Sequence, residues 1–187
     1  MAVPRFDPTA SLEIDFGRGR IALRDGGERV LVPADALLSL CRGVGPDTLR
    51  DFGRRLGTDV GRRVAESLGE VGSASVESVV EHLGAELALT GLGELGVERW
   101  GRALVFTVSG SPLRAEGDEL LACVLEGALQ RGFGRDAGVV RLTRDDVRVR
   151  FLVASRGSVG RVRDWLGTGT PWGETLARLH EAPGGAA

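Results

Sequence analysis

The sequence of 187 residues predicts an α+β fold, and three kinds of pattern predict it. Segments that alternate apolar and polar residues, such as "SLEIDF" at 11–16, are typical of strands. Glycine-rich turns join neighbouring strands into hairpins, as in "RIALRDGGERVLVP" with its turn at Asp25-Gly26-Gly27. Other stretches, such as 76–89, repeat apolar residues at the spacing of a helix that buries one face.

The first half of the chain is predicted to continue with three helices. A short helix begins at Pro33 and ends near Arg42, and a long helix runs from 46 to 68 with Asp47 as its cap. Ser75 is predicted to cap the helix at 76–89.

The second half is predicted to alternate strands and helices. Strands at 97–101 and 103–109 form a hairpin, and a helix follows at 118–133. The segment "GVVRLTRDDVRVRFLVA" predicts two further strands that turn at Arg144-Asp145-Asp146. The last 30 or so residues predict two short amphipathic helices and a frayed end.

Composition and charge exclude several classes of protein. Hydrophobic residues make up 42% of the chain and charged residues 27%, which is typical of a globular protein. The net charge of −2 gives no general attraction to nucleic acid or to an anionic membrane. The sequence also lacks the long apolar run of a transmembrane helix and the apolar core of a signal peptide. We therefore expect a cytoplasmic protein with no nucleic-acid partner and no membrane insertion.

The basic residues and cysteines narrow the chemistry further. All 24 basic residues are arginine, and the chain contains no lysine, tyrosine or asparagine. This composition is typical of a GC-rich bacterial genome, and it excludes catalysis through a Schiff-base lysine or a tyrosine phenol. Cys41 and Cys123 lie in apolar stretches and are predicted to be buried free thiols.

The long helix carries a strip of glycines at Gly53, Gly57 and Gly61, although each costs roughly 1 kcal/mol inside a helix. A helical wheel places the strip in or beside one apolar sector, with Arg63 at the edge, where it is expected to reach water. The apolar members of that sector are Leu49, Phe52, Leu56, Val60, Val64 and Leu68. Glycines in such a sector let another backbone approach closely. Three arrangements stay open, which are packing within the monomer, a seam between two copies and a ligand pocket.

Three motifs carry a resemblance to a known family, namely "LRDFGRRLGTDVGRRVAESLG", "ALVFTVSGSPL" and "DELLACVLEGALQRGFGRDAGVVRLTRDDVRVRFLVAS". They resemble, in order, the glycine-spaced first long helix, a strand with a small-polar-Pro loop, and the later helix with its two final strands in 4-vinyl-reductase-like domains. That family shares a superfamily with the Bet-type subunits of TRAPP vesicle-tethering complexes. The match covers 30–155, so 1–29 form N-terminal strands and 156–187 a C-terminal helical tail.

The resemblance implies an α+β, TRAPP-like fold in which an antiparallel sheet carries long helices over one face. It also implies dimerisation through helices and, in bacteria, a role as a small-molecule sensory module. TRAPP subunits are structural, and their complex acts on a small GTPase. Metal-binding members carry a cysteine before the helix and two more near the final strands, whereas this chain has only Cys123 in the helix. We therefore expect no metal site like theirs.

Catalytic machinery is scarce in the sequence. His82 lies one helical turn from Glu86 and is either a general base or a histidine at the surface or an interface. The serines of "VSGSPL" lack the Gly-x-Ser-x-Gly pattern of a nucleophile elbow. The histidines and cysteines match no metal-ligand spacing. We predict no catalytic residue, metal or cofactor, and hence a protein that is not an enzyme.

Two groups of residues are candidates for contacts with a protein partner. Arg54, Arg55 and Arg62 make the long helix locally basic, which fits either a solvated face or the docking of an acidic partner. In the tail, Trp165 and Trp172 either fold back onto their own domain or dock in a partner's groove.

The leading prediction for function is a non-enzymatic adaptor or regulatory module that binds a second copy of itself. The dimer or close-packing face would contain Gly53, Gly57, Gly61, Leu56 and Val60. One alternative is a sensor that holds a small apolar ligand between sheet and helices. Its predicted pocket is lined by Val105, Phe106, Leu121 and Leu125. A second alternative, by analogy, is a partner in the regulation of a Ras-like small GTPase.

Overall fold

The computed structural model describes residues 12–23, 25, 27–69, 75–134 and 136–181. The turn residue Gly26, most of the predicted loop at 71–75 and the predicted frayed end of the chain lie outside these residues. The described residues form seven strands and six α-helices, which confirms the predicted α+β class.

A small antiparallel sheet forms the first described part of the chain. Its strands are β1 (Leu12–Asp15), β2 (Arg20–Leu23) and β3 (Glu28–Arg29), in the order β1-β2-β3. The third strand is two residues long and does not extend to Pro33 as predicted, because only two residues of β2 pair with it. The side chains at 30–32 are exposed.

Three helices follow, and local signals set their bounds. They are α1 (Ala34–Gly43), α2 (Pro46–Leu68) and α3 (Val76–Leu89). The Ser75 hydroxyl accepts a hydrogen bond from the backbone N–H of Ser78 at 3.1 Å, so Ser75 caps α3 as predicted.

The start of α2 differs from the prediction in one respect. Gly45 occupies the cap position, and Pro46 follows in the first turn, where a missing N–H breaks no helical hydrogen bond. Asp47 lies inside the helix, and its carboxylate accepts a hydrogen bond from Arg50 at 3.0 Å. Asp47 is therefore not the cap, because it pairs with an arginine one turn further on.

The main sheet contains four strands and is antiparallel throughout. Its strands are β4 (Glu94–Trp100), β5 (Ala103–Ser109), β6 (Ala137–Arg144) and β7 (Arg148–Ser155), in the order β4-β5-β7-β6. The helix α4 (Asp118–Phe133) connects β5 to β6.

One face of this sheet carries the long helices, as the resemblance implies. Phe106 of β5 and Phe151 of β7 point to this face and are at most 1% exposed. They belong to one core cluster with Leu83 of α3 and with Leu121 and Leu125 of α4. Burial of each such side chain contributes roughly 1.5–3 kcal/mol, so this cluster is the main core.

The opposite face of the sheet is covered by the tail, which forms α5 (Arg156–Gly167) and α6 (Trp172–Glu181). Alternate strand residues meet the two helices in a second core cluster. Its larger buried members are Val105, Val140, Leu142, Leu152, Val159, Val162, Leu176 and Leu179. The tail therefore folds back onto its own domain, which is one of the two arrangements that the sequence leaves open.

The tryptophans contribute to the contact between the tail and the rest of the chain. Trp172 meets Trp100, at the end of β4, in an edge-to-face contact with ring centroids 4.9 Å apart. The carbonyl oxygen of Trp100 lies 3.0 Å from Nε2 of His180 in α6. Trp165 packs against the second cluster. Trp165 and Trp172 thus make contacts within the chain rather than forming a free partner-binding surface.

Within the described residues, α2 is the longest helix at 23 residues. Neither it nor any other described helix combines the length and apolar character that crossing a membrane requires.

Candidate ligand-binding site

The glycine strip of α2 lies against α4 of the same chain. A side-chain carbon at Gly57 would meet the backbone of Val124 and would lie 2.8 Å from the backbone nitrogen of Ala128. A carbon at Gly61 would likewise meet the backbone of Ala128. On α4, a carbon at Gly127 would meet the backbone of α2. The two helices therefore touch backbone to backbone, which is the first of the three arrangements that the sequence leaves open.

The apolar sector around the strip is narrower than the helical wheel predicts. Val60 is buried at 2% exposure, whereas Phe52 and Leu56 are each 37% exposed. Helices that approach through glycines touch along a narrow line, so larger side chains beside that line stay at the edge of the contact. Leu56 is therefore not part of the close-packed face.

The four residues predicted to line an apolar pocket lie in two different places. Phe106, Leu121 and Leu125 belong to the main core, and Val105 belongs to the cluster under the tail. Because neighbouring residues of a strand point to opposite faces, Val105 and Phe106 cannot line one pocket. All four side chains are at most 1% exposed.

The predicted partner-binding arginines are largely engaged within the chain. Arg54 donates to Glu126 of α4 at 3.3 Å. Arg62 donates to Asp25 at 2.8 Å and so ties the small sheet to α2. Arg55 is exposed and forms no ion pair with any described residue. Docking of an acidic partner stays a prediction, and among these three it rests chiefly on Arg55.

Arg63 and His82 are buried, contrary to their predicted positions at an edge and at a surface or interface. Arg63 is 7% exposed and donates from Nε to Glu86 of α3 at 2.6 Å. Burial raises the pKa of Glu86, although the arginine opposes that shift. Nδ1 of His82 lies 2.9 Å from the backbone carbonyl oxygen of Ser78. Glu86 is thus the partner of Arg63 and does not activate His82 as a base.

A cavity of about 190 Å³ opens where α2, α4, β6 and α5 meet. It lies beside the glycine contact between α2 and α4, so two of its walls have a fixed separation. The first tail helix, α5, supplies a further wall. This cavity is the candidate functional site.

Six charged residues line this cavity, and four of them are arginines. They are Arg50, Arg54, Arg156, Arg163, Glu119 and Glu126. One oxygen of Glu126 accepts from Arg54, and the other accepts from the backbone N–H of Val139 at 3.0 Å. Glu126 therefore joins α4 to α2 and to β6.

The remaining wall is apolar. It contains Ala122 and Cys123 of α4, Val139 of β6 and Val159 of α5. Burial raises the pKa of Cys123 to about 12, so its thiol is neutral near physiological pH and behaves as a small apolar group. Among the described residues, no three or more His, Cys, Asp or Glu side chains are placed to hold a metal ion.

Two glycines also border the cavity, with different consequences. A side-chain carbon at Gly138 would lie 2.9 Å from Val159, so β6 and α5 are closely packed there. A side-chain carbon at Gly160 would meet nothing within 4 Å. A side chain can therefore be added at Gly160, at the border of the cavity, without a clash.

Most residues of this cavity are not singled out by the sequence analysis. The sequence does contain pairs of arginines at helical spacing. Arg50 and Arg54 are one turn apart on α2, and Arg156 and Arg163 are two turns apart on α5. Such spacing places residues on one face but does not identify the opposing element. Only the tertiary fold brings the faces together.

Comparisons with known proteins identify a similar fold. Neither the models of known protein families nor the curated proteins give a match. Among solved structures, the chain is similar to the phenol-responsive sensory domain of the transcription activator PoxR, solved with phenol. The TM-score is 0.56 and the sequence identity 17%, over 78% of this chain and 86% of that chain. The two proteins therefore share a fold.

Proposed function

We propose that this protein is a non-enzymatic sensory module that binds a small molecule in the cavity between α2, α4, β6 and α5. The observation that carries the proposal is the cavity itself, which combines an apolar wall with several polar side chains. The fold shared with a sensory domain supports the same class of function. The 4-vinyl-reductase-like assignment suggested by the sequence is compatible with this role and stays a proposal.

The size of the cavity indicates the size of the ligand. An apolar cavity of roughly 150 Å³ in another protein holds a benzene molecule. A cavity of about 190 Å³ therefore suits a compound with one ring and a small substituent.

The position of the cavity provides a route to a response. A ligand there would contact α2 and α4, which are fixed to one another, and also α5, which belongs to the tail. A ligand that contacts α5 only when the tail is docked shifts the equilibrium toward the docked state. The ligand-bound protein would then have a larger fraction of molecules with the tail docked than the ligand-free protein.

The test is ligand-dependent thermal stability in the full chain, using a panel of neutral and anionic one-ring compounds. At 100 times the dissociation constant, a ligand adds about 2.7 kcal/mol, which raises the Tm of a protein of this size by about 5–10 °C. Gly160→Leu adds a large side chain at the border of the cavity and is expected to abolish the shift by occupying part of that space. Gly157→Leu is the matched control, because Gly157 is also in α5, has open space around it and does not border the cavity. If no compound raises the Tm, or if Gly160→Leu leaves the shift intact, the proposal is wrong.

A second candidate function is the homodimeric adaptor predicted from the sequence, but through another surface, because the glycine face predicted for the dimer packs against α4 of the same chain. One observation favours such a surface. Val30, Leu31 and Val32 are 83%, 80% and 57% exposed and directly follow Arg29, which donates to Asp59 of α2 at 2.7 Å. Contiguous exposed apolar residues are typical of interaction sites, and here the proposed occupant is a second copy of the chain. Light scattering tests it, with Leu31→Glu expected to convert a dimer into a monomer. A monomeric wild-type protein at concentrations well above the micromolar range would refute it.

A further inference from the structure

We infer that the cavity selects an anionic ligand, namely a one-ring compound that bears a carboxylate or a phosphoryl group. This inference rests on the proposed function and adds the chemical class of the ligand. It depends on the charges around the cavity, on the hydrogen-bond donors left unused, and on the placement of the apolar wall.

One arginine at the cavity has no acidic partner among the described residues. Arg50 pairs with Glu119 and Asp47, Arg54 pairs with Glu126, and Arg156 pairs with Asp136. Arg163 borders the same cavity of about 190 Å³ and forms no ion pair with a described residue. The uncompensated positive charge of Arg163 therefore borders a space that a small anion can enter.

The arginines also keep unused donors. Arg54 directs both Nε and Nη2 to a single oxygen of Glu126, at 3.3 Å each, which leaves Nη1 without a described partner. Arg50, by contrast, is engaged twice, because it donates to Glu119 at 3.3 Å and to Asp47 at 3.0 Å. Arg163 makes no ion pair or side-chain hydrogen bond with any described residue. A guanidinium has five N–H donors in a planar fork that matches a carboxylate or phosphate.

The two glutamates do not make the cavity a binding site for a cationic ligand. Glu126 uses both oxygens within the fold, one for Arg54 and one for the backbone of Val139. Glu119 is bound to Arg50 at the mouth, where its side chain is 43% exposed. A cationic ligand would have to displace these arginines, whereas an anion meets donors that are already present.

The apolar wall determines what the rest of the ligand is. Ala122, Val139, Val159 and the neutral Cys123 form a surface that suits an aromatic or aliphatic ring rather than a free inorganic ion. A ligand with its ring on this wall and its acid group toward Arg54 and Arg163 uses both parts of the cavity. Inorganic phosphate alone would use only the charged part.

Isothermal titration calorimetry of the full chain tests this selectivity with benzoate, phenyl phosphate, inorganic phosphate and phenol. We expect benzoate or phenyl phosphate to bind at least tenfold more tightly than phenol or inorganic phosphate, and the tighter of the two identifies the acid group. Raising the salt concentration should weaken anion binding and leave phenol unaffected.

Substitution of Arg163 locates the contact. Arg163→Gln is expected to weaken binding of the preferred anion at least tenfold without changing the binding of phenol. Arg161→Gln is the matched control, because Arg161 is exposed on the same helix and does not border the cavity. It is expected to change the affinity by less than twofold.

The outcomes separate the two levels of the proposal. If phenol binds as tightly as benzoate and phenyl phosphate, and Gly160→Leu blocks it, the sensory function stands and the anionic ligand class is wrong. If Arg163→Gln and Arg161→Gln behave alike, the anion is not held by the arginine of α5 and the inference fails. If none of the four compounds binds, the sensory function and the inference fail together.

Discussion

Replacing Gly57 by alanine is the most direct test of the contact between α2 and α4. The added carbon would meet the backbone of Val124 and would lie 2.8 Å from the backbone nitrogen of Ala128. Ordinary contacts begin at 3.4 Å, and no side-chain rotation relieves a clash between a Cβ atom and a backbone. The two helices must therefore separate by more than about half an ångström along this line, which weakens their dispersion contacts.

The magnitude follows from two opposing effects. Overpacking of a tight core typically costs about 1–3 kcal/mol, and backbone neighbours place this site at or above the upper end. Alanine recovers about 1 kcal/mol of helix propensity relative to glycine. The expected net loss is about 2–3 kcal/mol, which lowers the Tm of a protein of this size by roughly 5–10 °C.

Urea unfolding followed by circular dichroism measures this loss. Gly160→Ala is the matched control, because it makes the same change inside a helix where nothing lies within 4 Å. It is expected to stabilise the protein by about 0.5–1 kcal/mol. If Gly57→Ala were as stable as the wild type or shared the gain of Gly160→Ala, the helices would not be in backbone contact and the reasoning would be refuted.

Three further predictions concern buried or paired ionisable groups. Glu86→Gln removes the buried carboxylate that pairs with Arg63, which keeps its ion pair with Asp59, and should destabilise the fold by about 1.5–3 kcal/mol in urea unfolding; a loss below about 0.5 kcal/mol contradicts burial of the pair. Cys123, whose pKa burial raises to about 12, should be alkylated by iodoacetamide near pH 8 only after unfolding, and rapid reaction of the native protein contradicts this. The hydrogen bond from Arg62 lowers the pKa of Asp25, so this carboxylate stabilises docking of the small sheet at neutral pH, and that contribution is lost as the pH falls through the lowered pKa. The protection factors of the β2 and β3 amides, which correct exchange for its intrinsic pH dependence, should therefore fall below about pH 4 in the wild type and change less in Arg62→Gln; identical pH profiles would contradict the pairing.

Local signals in the sequence predict the regular elements well. The bounds of α3 (Val76–Leu89), β5 (Ala103–Ser109) and α4 (Asp118–Phe133) agree with the prediction. Each has a strong periodic pattern, and Ser75 adds a cap. These features depend on residues near each other in the chain, which is why the sequence alone suffices.

Features that depend on distant contacts are not predicted. The wheel of α2 groups Leu56 with the glycines, but it contains no information on how closely α4 approaches. Arg63 likewise has a polar side chain whose buried partner, Glu86, lies on another helix. The cavity combines four elements, so no single segment reveals it.

The position of the tail could have been predicted from the strands. In "ALVFTVS" of β5, Val105 and Phe106 are both apolar, although they point to opposite faces. A strand that is apolar on both faces indicates a sheet covered on both sides. The prediction of helices over one face is correct for the long helices, and the second face required a further layer, which only the tail can supply among the described elements.

The contact between the tail and the sheet contains all three tryptophans, so the fluorescence of the protein depends on it. The chain has three tryptophans and no tyrosine, so its intrinsic fluorescence comes almost entirely from indole rings. Trp165 and Trp172 pack in the cluster under the tail, and Trp100 touches Trp172. Tryptophan emission therefore reports whether α5 and α6 remain packed on the sheet, because α2, α3 and α4 contain no tryptophan. A change in tryptophan emission with unchanged circular dichroism identifies a state in which α5 and α6 have separated from the sheet while all helices and strands stay folded.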